Sequence, residues 1–415
     1  MHRVSASPVP GRQAALSSFR FGLSFHWLPI NTVVLQVQVA ELVGRRHQGS
    51  GLGLLFALGT VFAMGVPPLV GAASDRMWTR FGRRRPVMAA ATLVDLLGLG
   101  LMFSASSYTQ LVAGYAVAQL ATNAAGAAYN GLIPDSVREA DFGRVSGFIG
   151  AMAQVGQVAG LLGTFLLATH HALVGIYVVI GVVFVLSLLP SLAAGLEHPP
   201  RARDAPRLPL PRRVVQFIRP ITGGDFTWVF LTRFFVTCGI NAVSPFLLPF
   251  FRDVIGVSHP EQFTPLWLLT VLAVATPFAL AGGSLSDRFG RKRFVYAAGC
   301  LQALVALVFL ALYPSRIWEV LAMAGTFGIG YGLFYSVDAA LALDTLPDPA
   351  RSAKDLGLMH IAETVPGVFV PAAGGFLLDL LNHRSMGMGY RAVFGGAAVF
   401  FLLGGLLVRN VRSVQ

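Results

Sequence analysis

The stretch GAASDRMWTRFGRRRP, residues 71 to 86, decides the fold of this chain. It is a charged turn between two apolar runs, each long enough to cross a bilayer. A related stretch, GGSLSDRFGRKR, residues 282 to 293, separates two further apolar runs. Both contain Gly, three residues, Asp-Arg, then a Gly-Arg pair. In the first copy these are Gly71, Asp75, Arg76, Gly82 and Arg83, and in the second Gly283, Asp287, Arg288, Gly290 and Arg291. The Gly and Asp positions recur at one constant offset. A second repeat runs at an offset one residue longer. It pairs AYNGLIPDSVREADFGRVSG with ALALDTLPDPARSAKDLG and aligns Pro134-Asp135 with Pro347-Asp348. Two motifs repeated at nearly one spacing predict an internally duplicated chain, its halves related by an axis normal to the membrane.

Composition agrees with a bilayer environment. Of 415 residues, 55% are hydrophobic and only 12% charged, and the mean hydropathy is +0.67. Soluble domains usually carry about twice that charged fraction. Lipid solvates apolar side chains, so a polytopic membrane protein accounts for the missing polar surface. The net charge of +12 does not imply nucleic acid, because the basic residues fall in loops between apolar runs, where they set topology and meet anionic headgroups. The two cysteines, Cys238 and Cys300, lie inside apolar runs and predict neither a disulfide nor a metal site. The first residues show no short apolar core with a small-residue cleavage site, so no cleaved signal peptide is expected.

Twelve spans are predicted, all helical. Six run over 20–43, 51–73, 87–106, 109–133, 145–169 and 172–195. Six more run over 226–251, 263–285, 293–313, 317–342, 355–380 and 391–409. The expected organisation is an N-terminal six-helix bundle, 1–196, a basic Pro- and Arg-rich linker, 197–224, and a C-terminal six-helix bundle, 225–415. With both termini cytoplasmic, 24 of the 31 Lys and Arg residues fall on the inner side and 6 on the other. The positive-inside rule therefore places the chain as a multi-pass protein of the cell membrane with both ends inside.

These residues resemble the major facilitator superfamily across essentially the whole chain. The resemblance implies two pseudosymmetric six-helix bundles that alternate access to a midplane site. The four residues Met77 to Arg80, inserted before Phe-Gly and followed by three arginines and a proline, resemble the loop of the sucrose and glycoside proton symporters. NGLIPD, SVDAALALDTLP and KDLGLMHIAETVPG also resemble bacterial members of that group. One departure is plain. The group carries an acidic residue in span 4 shortly before an Asn resembling Asn123, whereas here Gln119 to Thr122 contain no carboxylate, so any proton site lies elsewhere.

Asp75 is predicted at the inner edge of span 2, accepting charge-assisted hydrogen bonds from Arg83 or Arg84. By resemblance it also faces the N-terminal end of span 11. Gly71 is expected to permit close helix approach and Gly82 a tight turn. The gating motif is thus Gly71, Asp75, Arg76, Gly82, Arg83 and Arg84, with Gly283, Asp287, Arg288, Gly290 and Arg291. The alternative is that its arginines are topology anchors alone.

Ionisable residues within spans mark function by default. His360 and Glu363 share one face of span 11 and can share a proton near neutral pH, or form a structural pair. Asp338 lies mid-span 10 with Tyr335 on the same face. It is either a proton carrier beside an aromatic suited to a sugar ring or the salt-bridge partner of Arg233. Asp95 in span 3 is a proton acceptor or the partner of an arginine from the 2–3 loop. These four residues, Asp95, Asp338, His360 and Glu363, are the proton-coupling candidates. The substrate candidates are His26, Asn31, Asn123, Asn130, Gln154, Gln157, Arg233, Asn241 and Tyr335. Neutral amides facing a cavity suit hydroxyl-rich ligands, although interhelical hydrogen bonds use the same groups.

The chain carries no phosphate-loop motif, HExxH, paired CxxC or serine elbow. No enzyme activity, cofactor or metal is expected, and an ion or substrate gradient is the expected energy source. The expected partners are a small molecule, protons and the bilayer, with the protein a monomer. The leading expectation is proton-coupled sugar or glycoside symport. Proton-coupled export of drugs or metabolites is the alternative, and a non-transporting membrane sensor is a third.

Overall fold

A computed structural model describes residues 10–77, 79–138, 141–168, 173–195, 223–311, 316–345 and 352–412. Twelve long helical segments follow one another among them, and no strand is present among the described residues. We number them by span. α1 covers Pro10–Pro29, a π-helical turn at Ile30–Val34, and Leu35–Val43. α2 is Gln48–Arg76, α3 Arg85–Phe103, α4 Tyr108–Ser136, α5 Phe142–Ala168 and α6 Leu173–Ala194. α7 spans Asp225–Ile255, α8 Pro260–Phe289, α9 Arg291–Ala311 and α10 Ile317–Asp344. α11 is built from Ser352–Thr364 and Pro366–Asn382, and α12 is Met388–Asn410.

Local chemistry sets many of these boundaries. Pro86, Pro260 and Pro366 sit in first turns, where a missing N–H costs nothing. Ser107 caps α4 by accepting from the Gln110 N–H. Gly290, at φ 93°, ends α8 in a conformation other residues resist. Two boundaries differ from the expected ones. α1 begins at Pro10 rather than residue 20, because Leu16 and Phe19 are fully buried and the helix keeps its packing stripe beyond the apolar run. Span 11 is interrupted before Pro366, whose ring and absent N–H break the helical ladder.

Ten of the described helices are long and apolar enough to cross a bilayer. α1 and α4 are the more polar two. Gln13, His26, Gln36 and Gln38 of α1 and Gln119 and Thr122 of α4 are buried within the protein, so their polarity is hidden from lipid.

The chain forms two compact units. One comprises residues 1–42 and 58–203, the other 43–57 and 204–415. Four pairings recur in both. In the first, α1 packs on α5 and α6, and α3 on α4 and α6. In the second, α7 packs on α11 and α12, and α9 on α10 and α12. The first core gathers Phe19, Met88, Ala125, Tyr129 and Phe184, and the second Phe226, Val229, Val337, Leu341 and Met359. Small residues bring helices together. A Cβ on Gly98 of α3 would lie 2.7 Å from the Ala118 backbone of α4, and one on Gly332 of α10 would lie 2.3 Å from the Ala275 carbonyl of α8.

Candidate functional site

The repeated charged motif folds into two versions of one knot. In the first unit, Gly82 adopts φ 98° and pairs with Thr79 across a tight turn, whose carbonyl also accepts from the Thr79 hydroxyl at 2.6 Å. That turn aims Arg83 and Arg84 back at the end of α2. Arg84 binds Asp75 and the Ser74 hydroxyl. Arg83 reaches Asp75 at 3.4 Å and holds Asp135 of α4 with a forked pair of bonds, 3.0 Å from Nε and 2.6 Å from Nη2. In the second unit, Arg291 binds Asp287 at 3.1 Å and also Asp344 at the end of α10. Both repeats thus tie the end of an even-numbered helix to the end of the next even-numbered helix through one arginine. Asp348, the sequence counterpart of Asp135, and the Arg76 side chain lie outside the described residues. Arg288 is exposed.

Gly71 is a correction. No atom lies within 4 Å of where its Cβ would stand, so it makes no close helix approach. Its carbonyl instead accepts from Arg84 at 3.4 Å and from the Ser74 hydroxyl at 3.1 Å. The close approach falls at Gly131, where a Cβ would strike the Arg84 guanidinium at 2.6 Å. Gly283 has ordinary contact with Ser336 at 3.5 Å.

Deeper in each unit lies a pair of ionisable side chains in contact. In the first, His26 Nε2 of α1 meets Asp95 Oδ2 of α3 at 3.0 Å, with both side chains at 0% exposure. The Trp27 and Phe184 rings flank the imidazole, at centroid distances of 4.8 and 5.1 Å. His26 Nδ1, Asp95 Oδ1 and the Thr92 hydroxyl one turn earlier are buried without a hydrogen-bond partner. The partner of Asp95 is therefore an imidazole rather than a loop arginine. His26, expected to line a cavity, is sealed inside the unit. Close by, Asn123 donates to Gln119 Oε1 at 3.0 Å and Gln119 donates to the Tyr115 hydroxyl at 2.8 Å. The Tyr115 ring meets Trp27 edge-on at 5.8 Å. The Asn123, Gln119 and Tyr115 side chains form a short hydrogen-bonded file along α4.

The other amides separate. Asn31 keeps a buried Oδ1 without a partner at the π-helical turn, and the Gln36 amide donates to the Asn31 carbonyl at 3.3 Å. Asn130 and Gln154 are exposed and Gln157 is half-buried.

In the second unit, Arg233 Nε of α7 donates to Asp338 Oδ2 of α10 at 2.7 Å. Asp338 Oδ1 is buried without a partner. Tyr335 and Tyr331, one turn apart on α10, meet at a tilt with centroids 4.5 Å apart. His360 and Glu363 of α11 approach to 3.7 Å at side-chain exposures of 68% and 48%. Glu363 also interacts electrostatically with Arg233, Asp338 and Tyr335. Five of the expected residues therefore form one cluster: Arg233, Tyr335, Asp338, His360 and Glu363. Asn241 turns away and donates to the Thr237 carbonyl of its own helix at 2.9 Å. Phe234, next to Arg233, stacks on Phe369 of α11 at 6.1 Å. Among the described residues no group of three His, Cys, Asp or Glu side chains is placed to hold a metal ion.

Residues 15–279 and 264–414 match the profile of the Major Facilitator Superfamily. The chain belongs to this superfamily. It is a multi-pass membrane transporter of small molecules, not an enzyme. Multidrug resistance protein MdtG of Proteus mirabilis (strain HI4320) is 29% identical over 176 residues, covering 41% of this chain and 40% of that relative. Tetracycline resistance protein, class C, of Escherichia coli is 28% identical over 317 residues, 72% of this chain and 73% of the relative. Among solved structures, a bacterial homologue of the human lysosomal transporter Spinster superposes with a TM-score of 0.74 at 16% identity, covering 98% of each chain. The nucleoside transporter NupG does so with 0.75 at 13% identity, covering 96% of this chain and 98% of its own. These two likenesses carry the fold alone.

The sequence motifs do not single out the contacts made by Tyr115, Gln119 and Asp135. The first two sit in an Ala-rich helix without a repeated motif. Asp135 was visible in the repeated Pro-Asp pair, and the signal that could have joined it to Arg83 is that both motifs repeat at nearly the same offset.

Proposed function

We propose that this transporter is proton-coupled and works by alternating access, with a sugar or glycoside as its substrate. The observation that carries the coupling is the pair of ionisable side chains in contact in each unit, His26–Asp95 and Arg233–Asp338, each with one carboxylate oxygen left unpartnered. A buried carboxylate is costly unless it is paired or protonated, so loss of its partner favours proton uptake. Asp338 also shares a cluster with Tyr335, His360 and Glu363, where ligand binding can compete for Arg233. The arginine knots at Asp75 and Asp287 serve as breakable latches on the cytoplasmic side. Both termini are cytoplasmic and the working unit is a monomer.

The sugar or glycoside assignment is supported by the SDRMWTRFGRRRP loop and by the amide and tyrosine groups of α4 and α10, which offer both donors and acceptors. A second reading, proton-driven export of amphipathic compounds, is supported by the resistance proteins among the relatives and by the Phe234–Phe369 stack. Uptake into proteoliposomes under an imposed pH gradient separates them. The first reading expects labelled disaccharide or glycoside to accumulate with the proton gradient and to show counterflow. Tetracycline movement against the proton gradient without sugar counterflow would replace it with the second.

A further inference from the structure

The end of α2 opposite Asp75 is held by contacts that neither motif anticipates. The N–H groups of Gly49 and Ser50, in the first turn of α2, donate to the two carboxylate oxygens of Asp379 in α11, at 3.0 and 2.7 Å. Asp379 is 6% exposed. First-turn N–H groups have no partner within their own helix, and the helix dipole places partial positive charge there. A carboxylate bridging two of them is both a cap and a counter-charge. Beside it, Arg252 at the end of α7 donates to the buried Gln48 side chain at 2.7 Å. Arg252 is held by Asp253, which accepts from the Tyr390 hydroxyl of α12 at 2.7 Å.

Backbone packing makes this contact close. A Cβ on Gly375 of α11 would lie 2.0 Å from the Gly49 carbonyl, and one on Gly53 would lie 2.3 Å from the Pro371 carbonyl. The first turns of α2 therefore lie directly against α11. Residues 43–57 cluster with the second unit, whereas α2 beyond Ala57 clusters with the first. One helix thus carries the arginine knot at its far end and this carboxylate cap at its start.

We propose that Asp379, supported by Arg252, is a positioning residue for transport. It clamps the start of α2 onto α11, and its release is required for the transporter to open at that end. The clamp rests on the alternating-access reading for its purpose but not for its geometry. Its electrostatic part is one charge facing two N–H groups. Asp379→Asn removes that charge and one of the two acceptors while keeping the shape, and Asp379→Glu keeps the charge.

The test is maleimide labelling of Ser50→Cys, which retains the backbone donor, in purified protein with Cys238 and Cys300 replaced by Ala. Asp379→Asn should label about tenfold faster than the same protein with Asp379 intact, because loss of the charge–dipole contact opens this end more often. Asp379→Glu should restore slow labelling. Arg252→Gln, which leaves the carboxylate in place, should give a smaller acceleration and serves if Asp379→Asn fails to fold. Proteoliposome uptake is measured in parallel. Equal labelling in Asp379→Asn, Arg252→Gln and the parent, with uptake intact, overturns the clamp alone. Faster labelling in the variants with no uptake by the parent leaves the clamp standing and defeats the transport reading.

Discussion

The two pairs of ionisable side chains solve one problem with different chemistry. His26–Asp95 is sealed, with neither side chain exposed, and the partner of its carboxylate is an imidazole. Arg233–Asp338 is paired through a guanidinium that keeps its charge, and the pair opens onto Tyr335, His360 and Glu363. This second pair can relax only if a proton reaches Asp338 or another group takes Arg233. Under the proposed proton-coupled function, this contrast would put proton storage in the first unit and the link between proton and substrate in the second.

The largest expected effect comes from breaking the second pair. Asp338→Asn leaves a largely buried guanidinium without its hydrogen-bonded counter-ion, with Glu363 the remaining acid nearby, and breaking a fully buried pair costs at most about 3–5 kcal/mol. We expect the melting temperature to fall by several degrees and transport to be lost. Arg233→Gln with Asp338→Asn should recover the melting temperature but not transport. A double variant as unstable as Asp338→Asn would show that the pair is not the source of the loss.

Breaking the first pair should be milder for stability. Asp95→Asn leaves His26 facing an amide in place of a carboxylate, so we expect about 1–3 kcal/mol, the usual cost of an unsatisfied buried polar group. Uptake driven by a pH gradient should vanish while counterflow of substrate, which needs no net proton movement, persists. Loss of counterflow as well would make His26–Asp95 a structural pair.

Asp75→Asn tests the knot rather than either pair. Its side chain is more than half exposed, so stability should change by less than about 1 kcal/mol. Transport should still fall strongly, with membrane insertion unchanged. Wild-type uptake in this variant would remove the latch role. Glu363→Gln, at an exposed position on α11, should leave stability unchanged and move apparent substrate affinity by a few fold. An unchanged affinity would place the ligand elsewhere.

Much of the fold was legible because it is written in periodic features. The repeated Gly, Asp and Arg positions, the apolar runs and the loop arginines all report on topology, and each is local in sequence. The Arg233–Asp338 pair could be guessed because both residues are ionisable and lie away from the ends of apolar helices. The His26–Asp95 pair could not be chosen in advance, since the 2–3 loop offered several arginines as equally reasonable partners for Asp95. Asp379 escaped notice for a different reason. Its partners are backbone N–H groups, which every residue but proline carries, so no residue type advertises them. Gly71 misled because a glycine in a motif suggests packing, whereas here its carbonyl is the useful group.

The division of labour between the pairs is tested most directly by proton movement itself. In proteoliposomes loaded with a pH-sensitive dye, adding a transported sugar or glycoside should acidify the lumen in the wild-type protein. Asp95→Asn should abolish the acidification while sugar exchange continues. Continued substrate-driven acidification in Asp95→Asn would contradict the account.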